Sequence, residues 1–435
     1  MIPHPIVLSH QRLMFYIASQ LRDNHNVTIL RWTATSQSAS LEPPDGVEVI
    51  VYNDKRQEWV LEQIDEVMWG SQDSFSPYIE FMAKGGGLAY EPCRALINSP
   101  KLMQTLRQEQ FDLVLVDPVA MACNYIIANQ LNAPYISILP SMSVYILDRY
   151  VSPAPHSYVP SMLTGYSDRM NIRVSMLLLQ NNFLEFPRPY VPTLVNSGNK
   201  QLIKEPAVQE LPPLILDPMS NGTIIFSLST LGKNRVTPAA IKEPFADAFK
   251  MMSDYRVIWR KMSANDNIGL QNESHVYSTH WYNQLHAFAE KNTKLVITHG
   301  GLATVLEAMT HGVPMLAMPL GFDHHANSAR LVAKGLGLRT GPLTSETILH
   351  QTNALLHEER YALRAKKYRD MIEEHKRGVI DDSFMWWIEF SLRQGAKKMD
   401  RLIAKGEWQL LPHYYLVDVY GAVFFVMLIV GKLIY

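Results

Sequence analysis

Cysteine is nearly absent from this chain: Cys93 and Cys123 are the only two in 435 residues. That excludes a disulfide framework and a thiolate zinc cluster. A single bridge or two buried thiols both stay open. An excess of charge is missing as well. Forty Lys and Arg against 41 Asp and Glu give a formal net charge of −1, which argues against a broad electrostatic nucleic-acid binder. There is no fixed-period repeat and no low-complexity tract. With 22 Gly, 26 Pro and 10% aromatics, the composition is neither disordered nor fibrous. The opening MIPHPIVLSH lacks a charged stretch ahead of an apolar one, so no signal peptide is visible.

What the chain does have is apolar content. At 47% hydrophobic and 19% charged it can bury a sizeable core, and its length suggests about two or three domains. Leu13, Ile17 and Leu21 share one face of a helix over Arg12–Leu21. Short apolar strands are expected at Asn26–Leu30, Phe111–Val116 and Tyr135–Leu139, with a helix at Tyr125–Leu131. Pro-rich pieces between 150 and 220 flank an amphipathic run, Met170–Asn182, and read as a linker. Strand candidates then resume at Thr223–Ser229, Arg256–Arg260, Lys294–Thr298 and Val313–Met318. Strand alternating with helix means parallel sheets, so the fold class is α/β with two doubly wound halves. Ligands bind such halves at the C-terminal ends of their strands, in the cleft between them.

The C-terminal end reads differently. Val419–Val430 is an uninterrupted apolar run, and counting from Tyr414 to Tyr435 gives a span adequate for a bilayer. Asp418 would sit near one interface, Lys432 would snorkel at the other, and Tyr414, Tyr415 and Tyr420 suit an interfacial belt. A buried core helix is the competing reading. A terminal membrane anchor is the expectation.

The chemistry concentrates in residues 281–327. Strand Lys294–Thr298 delivers His299-Gly300-Gly301 onto a turn, and Leu302–Thr310 forms a helix closed by Gly312. A glycine turn opening a helix presents backbone N–H groups to an anion, although such an entry can also be purely steric. Glu307 lies about one turn into that helix and could reach a ribose diol. Asp323-His324-His325 invites a metal reading, but three consecutive positions rarely converge on one ion. No metal is expected.

Trp281-x-x-Gln284, THGG at 298–301, Glu307, GVP at 312–314 and P-L-x-x-D-H ending at Asp323-His324 together resemble the signature of the UDP-glycosyltransferases. They look like the membrane-bound animal branch that contains the UDP-glucuronosyltransferases. The similarity extends to Ser9-His10, FDLVLVDP, HSYVP at 156–160, IIFSLST, VIWR and WWIEF at 386–390. The chain departs from the family pattern at Asn283, where proline is usual, at His324, where glutamine is usual, and at Ser229, where glycine is usual. Its first strand, within Met1–Leu8, is also short.

The resemblance implies two Rossmann-like domains facing a cleft, the GT-B arrangement, plus a C-terminal transmembrane helix. Residues 1–195 would form the acceptor-binding domain and 196–395 the UDP-sugar domain, with a late helix near Asp381–Arg393 packing back towards the first. A juxtamembrane linker at 396–413 and the span at 414–435 would follow. Activity would be inverting transfer of glucuronosyl or glucosyl from a UDP-sugar to a hydroxyl of a small lipophilic acceptor. Such chemistry needs a general base and stabilisation of the leaving diphosphate. The resemblance gives the base to His10 and its orientation to Asp117. Trp281 would flank the uracil, Gln284 would contact the nucleoside, and Ser227 would lie near the phosphates. His299 and the backbone of Gly300, Gly301 and Thr304 would hold the diphosphate, Glu307 the ribose, and Asp323 with His324 the sugar hydroxyls. UDP-glucuronate or UDP-glucose is then a co-substrate, and no cofactor is implied. The expected setting is the endoplasmic reticulum membrane with lumenal catalytic domains; homo-oligomerisation stays open. The short first strand favours an alternative, a catalytically impaired member that binds nucleotide sugar or partners.

Overall fold

A computed structural model describes residues 1–3, 8–33, 42–53, 94–117, 122–133, 135–138, 183–184, 220–228, 237–262, 266–279, 282–321, 323–378 and 383–394. Trp281, Cys93, Ser229, the run 170–182, the boundary at 195/196, the 396–413 stretch and the span 414–435 lie outside these residues, as does the side chain of Cys123. No helix among the described residues is long and apolar enough to cross a membrane.

Apolar strands build the second half. They are β5 (Thr223–Ser227), β6 (Arg256–Arg260), β7 (Val276–Thr279), β8 (Thr293–Thr298), β9 (Met315–Ala317) and β10 (Gly337–Arg339). They pair in the order β10-β9-β8-β5-β6-β7, and every pairing is parallel. Ile224, Phe226, Val257, Trp259, Leu295 and Ile297 point to one side and join one hydrophobic cluster. Ile225, Ile258 and Val296 point to the other and join a second. A sheet covered on both faces needs continuous apolar strands, which is why these runs do not alternate with polar residues. On the first face Phe226 packs at 4.2 Å from Trp259 and 4.7 Å from Phe245, ring centre to ring centre. Helix α4 (Ala239–Lys250) supplies Phe245 and Phe249 to that face. The strand order reverses at the β5/β8 pair, so the topological switch point lies beside Ser227 and Thr298.

Fewer residues of the first half are described. Helix α1 (Leu8–Leu21) is followed by β1 (Thr28–Thr33) and β2 (Glu48–Asn53), which pair in parallel. Helix α2 (Pro100–Gln108), β3 (Val114–Val116), α3 (Ala122–Gln130) and β4 (Tyr135–Ser137) follow among the described residues, with β3 and β4 parallel. Residues 1–3 run between the two strand pairs. The Ile2 N–H donates to Leu115 O at 2.8 Å, the Asp117 N–H donates to Ile2 O at 3.0 Å, and the Leu30 N–H donates to Met1 O at 2.9 Å. Three residues thus satisfy backbone groups on both neighbours and link the two pairs.

The remaining helices are α5 (Gln284–Ala289), α6 (Leu302–His311), α7 (His324–Ala333), α8 (Ser345–His357), α9 (Glu359–Gly378) and α10 (Ser383–Gln394). Ile388 of α10 is buried in the cluster formed by Leu13, Met14, Ile17 and Ile29 of the first half. His25 Nε2 lies 2.7 Å from Glu389 Oε1. The late helix therefore packs on the beginning of the chain.

Several expected boundaries move. Helix α1 starts at Leu8, not Arg12, so His10 is helical and does not sit on a preceding turn. The expected 223–229 strand ends at Ser227 and the expected 313–318 strand contracts to Met315–Ala317. In both, flanking apolar residues (Leu228, Val313 and Met318) stay buried beyond the strand ends, and the Met318 N–H still donates to Thr298 O at 2.7 Å.

Candidate active site

The turn after β8 carries the strongest local constraint. Gly300 adopts φ +84, and a Cβ there would meet Ser328 Oγ at 2.9 Å and His324 O at 3.2 Å. Its own N–H donates to Thr298 Oγ1 at 3.2 Å. Gly301 is the N-cap of α6 at an ordinary φ of −59. A Cβ on Gly301 would lie 2.5 Å from His299 Nε2, so the imidazole rests against the helix entrance where glycine leaves room for it. Backbone N–H groups and the positive end of the α6 dipole share this place. Burial drives the His299 pKa well below its ordinary value; nearby His324 adds to the effect, Asp323 opposes it, and Arg260 reinforces it.

Helix α5 brings the next group. The Asn283 side chain accepts from the His286 N–H at 3.1 Å and caps the helix, so the asparagine takes a helix-start role that proline also fills. Gln284 then donates from Nε2 to Glu307 Oε2 at 2.6 Å and to Thr304 Oγ1 at 3.2 Å. Gln284, Thr304 and Glu307 are thus one cluster. Burial raises the Glu307 pKa to about 7; the bond from Gln284 and the charges of Arg12 and Arg260 oppose the rise.

Helix α7 carries the third group. The His324 ring meets His299 edge-on, 4.6 Å between centres. Burial takes its pKa to about 3, so the ring is neutral near pH 7. Asp323 is raised by burial, with Asn327 and then His10 pulling the other way. Asn327 Nδ2 donates to Asp323 Oδ2 and to Gly300 O, each at 2.9 Å. Among the described residues no group of three or more His, Cys, Asp or Glu could hold a metal ion.

The first half contributes one buried pair. His10 Nδ1 lies 2.8 Å from Asp117 Oδ2, with both side chains almost fully enclosed. Asn124 Nδ2 donates to Asp117 O at 2.6 Å and steadies the end of β3. The two halves meet electrostatically: His10 acts on Asp323, and Arg12 acts on Glu307. Ser227, at the end of β5, borders the same space beside Tyr282, whose pKa burial pushes up to about 12.

Residues 4–176 and 172–435 match the model of a family described as UDP-glucoronosyl and UDP-glucosyl transferase. The chain belongs to this family. It is 26% identical over 380 residues to UDP-glucuronosyltransferase 2A3 of Mus musculus, covering 76% of this chain and 69% of that one. It is 25% identical over 381 residues to UDP-glucosyltransferase 2 of Dactylopius coccus, covering 75% and 72%. Crystal structures of Os79 from O. sativa share the fold: TM-score 0.57 for the complex with U2F and trichothecene, over 85% of this chain and 94% of that one, at 16% identity. Its complex with UDP gives 0.53 over 85% and 94%, at 15% identity. The family's two-lobed α/β architecture is therefore this chain's architecture.

Of the expected site residues, Gln284, Thr304 and Glu307 form one bonded cluster, Gly300, Asp323, His299 and His324 a second beside the N-cap Gly301, and His10 with Asp117 a buried pair in the first half, while Ser227 ends β5 at the switch point. Trp281 lies outside the described residues. Sequence reading passed over Arg12, Arg260, Tyr282 and Asn327. Asn327 carried a usable signal, since it stands four residues after Asp323, the spacing at which helix neighbours meet.

Proposed function

We propose that this chain is an inverting UDP-glycosyltransferase that moves a glucuronosyl or glucosyl group onto a hydroxyl of a small lipophilic acceptor. Family membership supports UDP-sugar transfer as the reaction class. The observation that carries the mechanism is the buried His10–Asp117 pair of the first half acting on a donor cluster of the second.

The Asp117 carboxylate holds Nδ1 of His10 as the protonated nitrogen, which makes Nε2 the basic one. Nε2 takes the proton of the acceptor hydroxyl while that oxygen attacks the anomeric carbon. The bond from the anomeric carbon to the β-phosphate oxygen breaks, its electron pair leaves with UDP, and the configuration inverts. The developing diphosphate charge meets the backbone N–H groups at the entrance of α6 and the His299 ring. Glu307 receives the ribose hydroxyls in the pose this reading requires. Asp323 with His324 reads the sugar, Ser227 borders the phosphates, and Trp281 and Gln284 attend the uracil nucleoside.

The segment 414–435 is the proposed anchor, on the strength of its apolar run and tyrosine belt. An endoplasmic reticulum membrane with lumenal catalytic lobes is the setting consistent with that anchor and the family.

Incubation with UDP-glucose and UDP-glucuronate, a panel of phenols, sterols and aliphatic alcohols, and mass spectrometry of the products tests the reading. A glycosylated acceptor is the expected result. UDP binding without any product would make this chain an impaired member instead, and absence of both would overturn the reading.

A further inference from the structure

Asn327 has no contact with the reacting atoms in this scheme, yet its amide sits between two groups that do. The residue is fully buried on α7. One Nδ2 carries two hydrogens, and both are spent: one on the Gly300 carbonyl at 2.9 Å, one on the Asp323 carboxylate at 2.9 Å. The amide cannot turn over. Arg330 Nη1, on a guanidinium that is itself 1% exposed, lies 3.5 Å from Asn327 Oδ1. A guanidinium only donates and a carboxylate only accepts, so the oxygen must face Arg330 and the nitrogen must face Asp323.

The bond to Gly300 reaches further than its own atoms. A trans peptide sends its N–H opposite to its carbonyl. Gripping the Gly300 carbonyl therefore also sets the direction of the Gly301 N–H, which belongs to the N-cap of α6. Gly300 at φ +84 has no side chain to steady it, and Ser328 Oγ, which would be 2.9 Å from a Cβ there, bonds to His324 O at 2.7 Å. Asn327 is thus the side chain that ties the turn to Asp323.

We infer that Asn327 is a positioning residue that aims the Gly301 N–H and the Asp323 carboxylate together, so that recognition of the donor's diphosphate and of its sugar is coupled through one amide. This inference rests on the donor site proposed above. A diphosphate seated on the turn and a sugar held by Asp323 are joined covalently in the donor, and both partners must be in register within a fraction of an ångström. A misplacement of about 1 Å is enough to cost about 10²-fold in rate.

The test uses the full chain and two variants. Asn327→Ala removes both bonds; Asn327→Asp keeps the shape but replaces two donors by acceptors. Kinetics are measured with the donor that wild type uses best and with its C4 epimer, together with UDP affinity by calorimetry and thermal melting. For Asn327→Ala, kcat/KM with the preferred donor should fall about 10²-fold. The discrimination between epimers should narrow at the same time, while UDP alone loses much less. For Asn327→Asp, two carboxylates at hydrogen-bonding distance share a proton, so its activity should recover as pH falls, a change wild type does not show. A folded Asn327→Ala with unchanged epimer discrimination, or losses confined to melting temperature in both variants, would overturn the inference. If wild type binds UDP but turns nothing over, the same comparison is made on UDP-sugar against UDP affinities. If wild type does not bind UDP at all, the donor-site reading fails, and the inference falls with it.

Discussion

His10 and Glu307 serve the reaction in separable ways, and substitution should separate them. Replacing His10 with Ala should cut turnover of an aliphatic alcohol by about 10²–10⁴-fold while leaving UDP affinity nearly intact, because the base belongs to the other half of the molecule. Steady-state rates and calorimetry check this; equal rates for variant and wild type would mean another base. Replacing Asp117 with Asn should hit the same step by loosening the imidazole's orientation. Glu307→Ala should weaken UDP binding by about 1.5–3 kcal/mol, the range for a hydrogen bond to a charged group. Its protonation matters too. Since the carboxyl titrates at about 7, wild-type affinity relative to Glu307→Gln should decline as pH falls through that value. An affinity ratio that stays flat between acid and neutral pH would remove the carboxylate from the ribose. The family resemblance pointed to His10 and Asp117, which local composition alone does not single out, whereas Glu307 was also suggested by its place one turn into a glycine-opened helix. Asn327 was legible only as a partner of Asp323 at helical spacing; its burial and that of Arg330 are tertiary facts that no local pattern encodes.

The turn between β8 and α6 gives two neighbouring glycines different jobs. Gly300→Ala should lower the melting temperature, since a left-handed residue with a Cβ costs roughly 1–2 kcal/mol and the site is already crowded by Ser328 and His324. Gly301→Ala should fold nearly as well, because its backbone suits alanine, but should push the His299 ring aside and weaken UDP binding. Melting curves and calorimetry on the pair distinguish them; the same profile for both would refute the division. Elements of this kind were legible where burial was complete. β5, β6 and β8 stood out as apolar runs because both sheet faces are covered. β7 reads VYST and is only partly buried at the sheet edge, and β10 has three residues at the other edge, so neither carries a run to recognise. β2 does carry a short apolar run, Val49–Tyr52, which sequence reading passed over. The start of α1 was hidden because the apolar face Leu13, Ile17 and Leu21 marks only its later turns, while Ser9, His10 and Gln11 carry no such pattern.

For the molecule as a whole, the cleft stores an acid–base imbalance. His299, His324 and His325 are neutral in the folded state where their unfolded forms would bind protons, His324 down to about 3 and His325 to about 4. Unfolding at pH below about 6.5 therefore takes up protons, and these groups make stability rise with pH across that range. Glu307, raised to about 7, acts in the opposite sense between its unfolded value near 4.5 and 7. Asp323, also raised by burial, acts with Glu307, while the Met1 amine, lowered to about 5 by burial, acts with the histidines. Four groups against two should leave the unliganded protein less stable at pH 5 than at pH 6.5, as read by thermal melting; a melting temperature that falls as pH rises over that interval would contradict the balance. Removing residues 414–435 should release the protein on alkaline extraction without changing UDP affinity, since the donor cluster lies wholly upstream. Helix α10 has a mechanical consequence beyond packing. The chain begins in the first half and returns to it through Ile388 and Glu389 of α10. That contact acts as a clasp, opposing separation of the halves in addition to the covalent chain. A single cut between them would leave the fragments held by the non-covalent contacts of α10 on the first half.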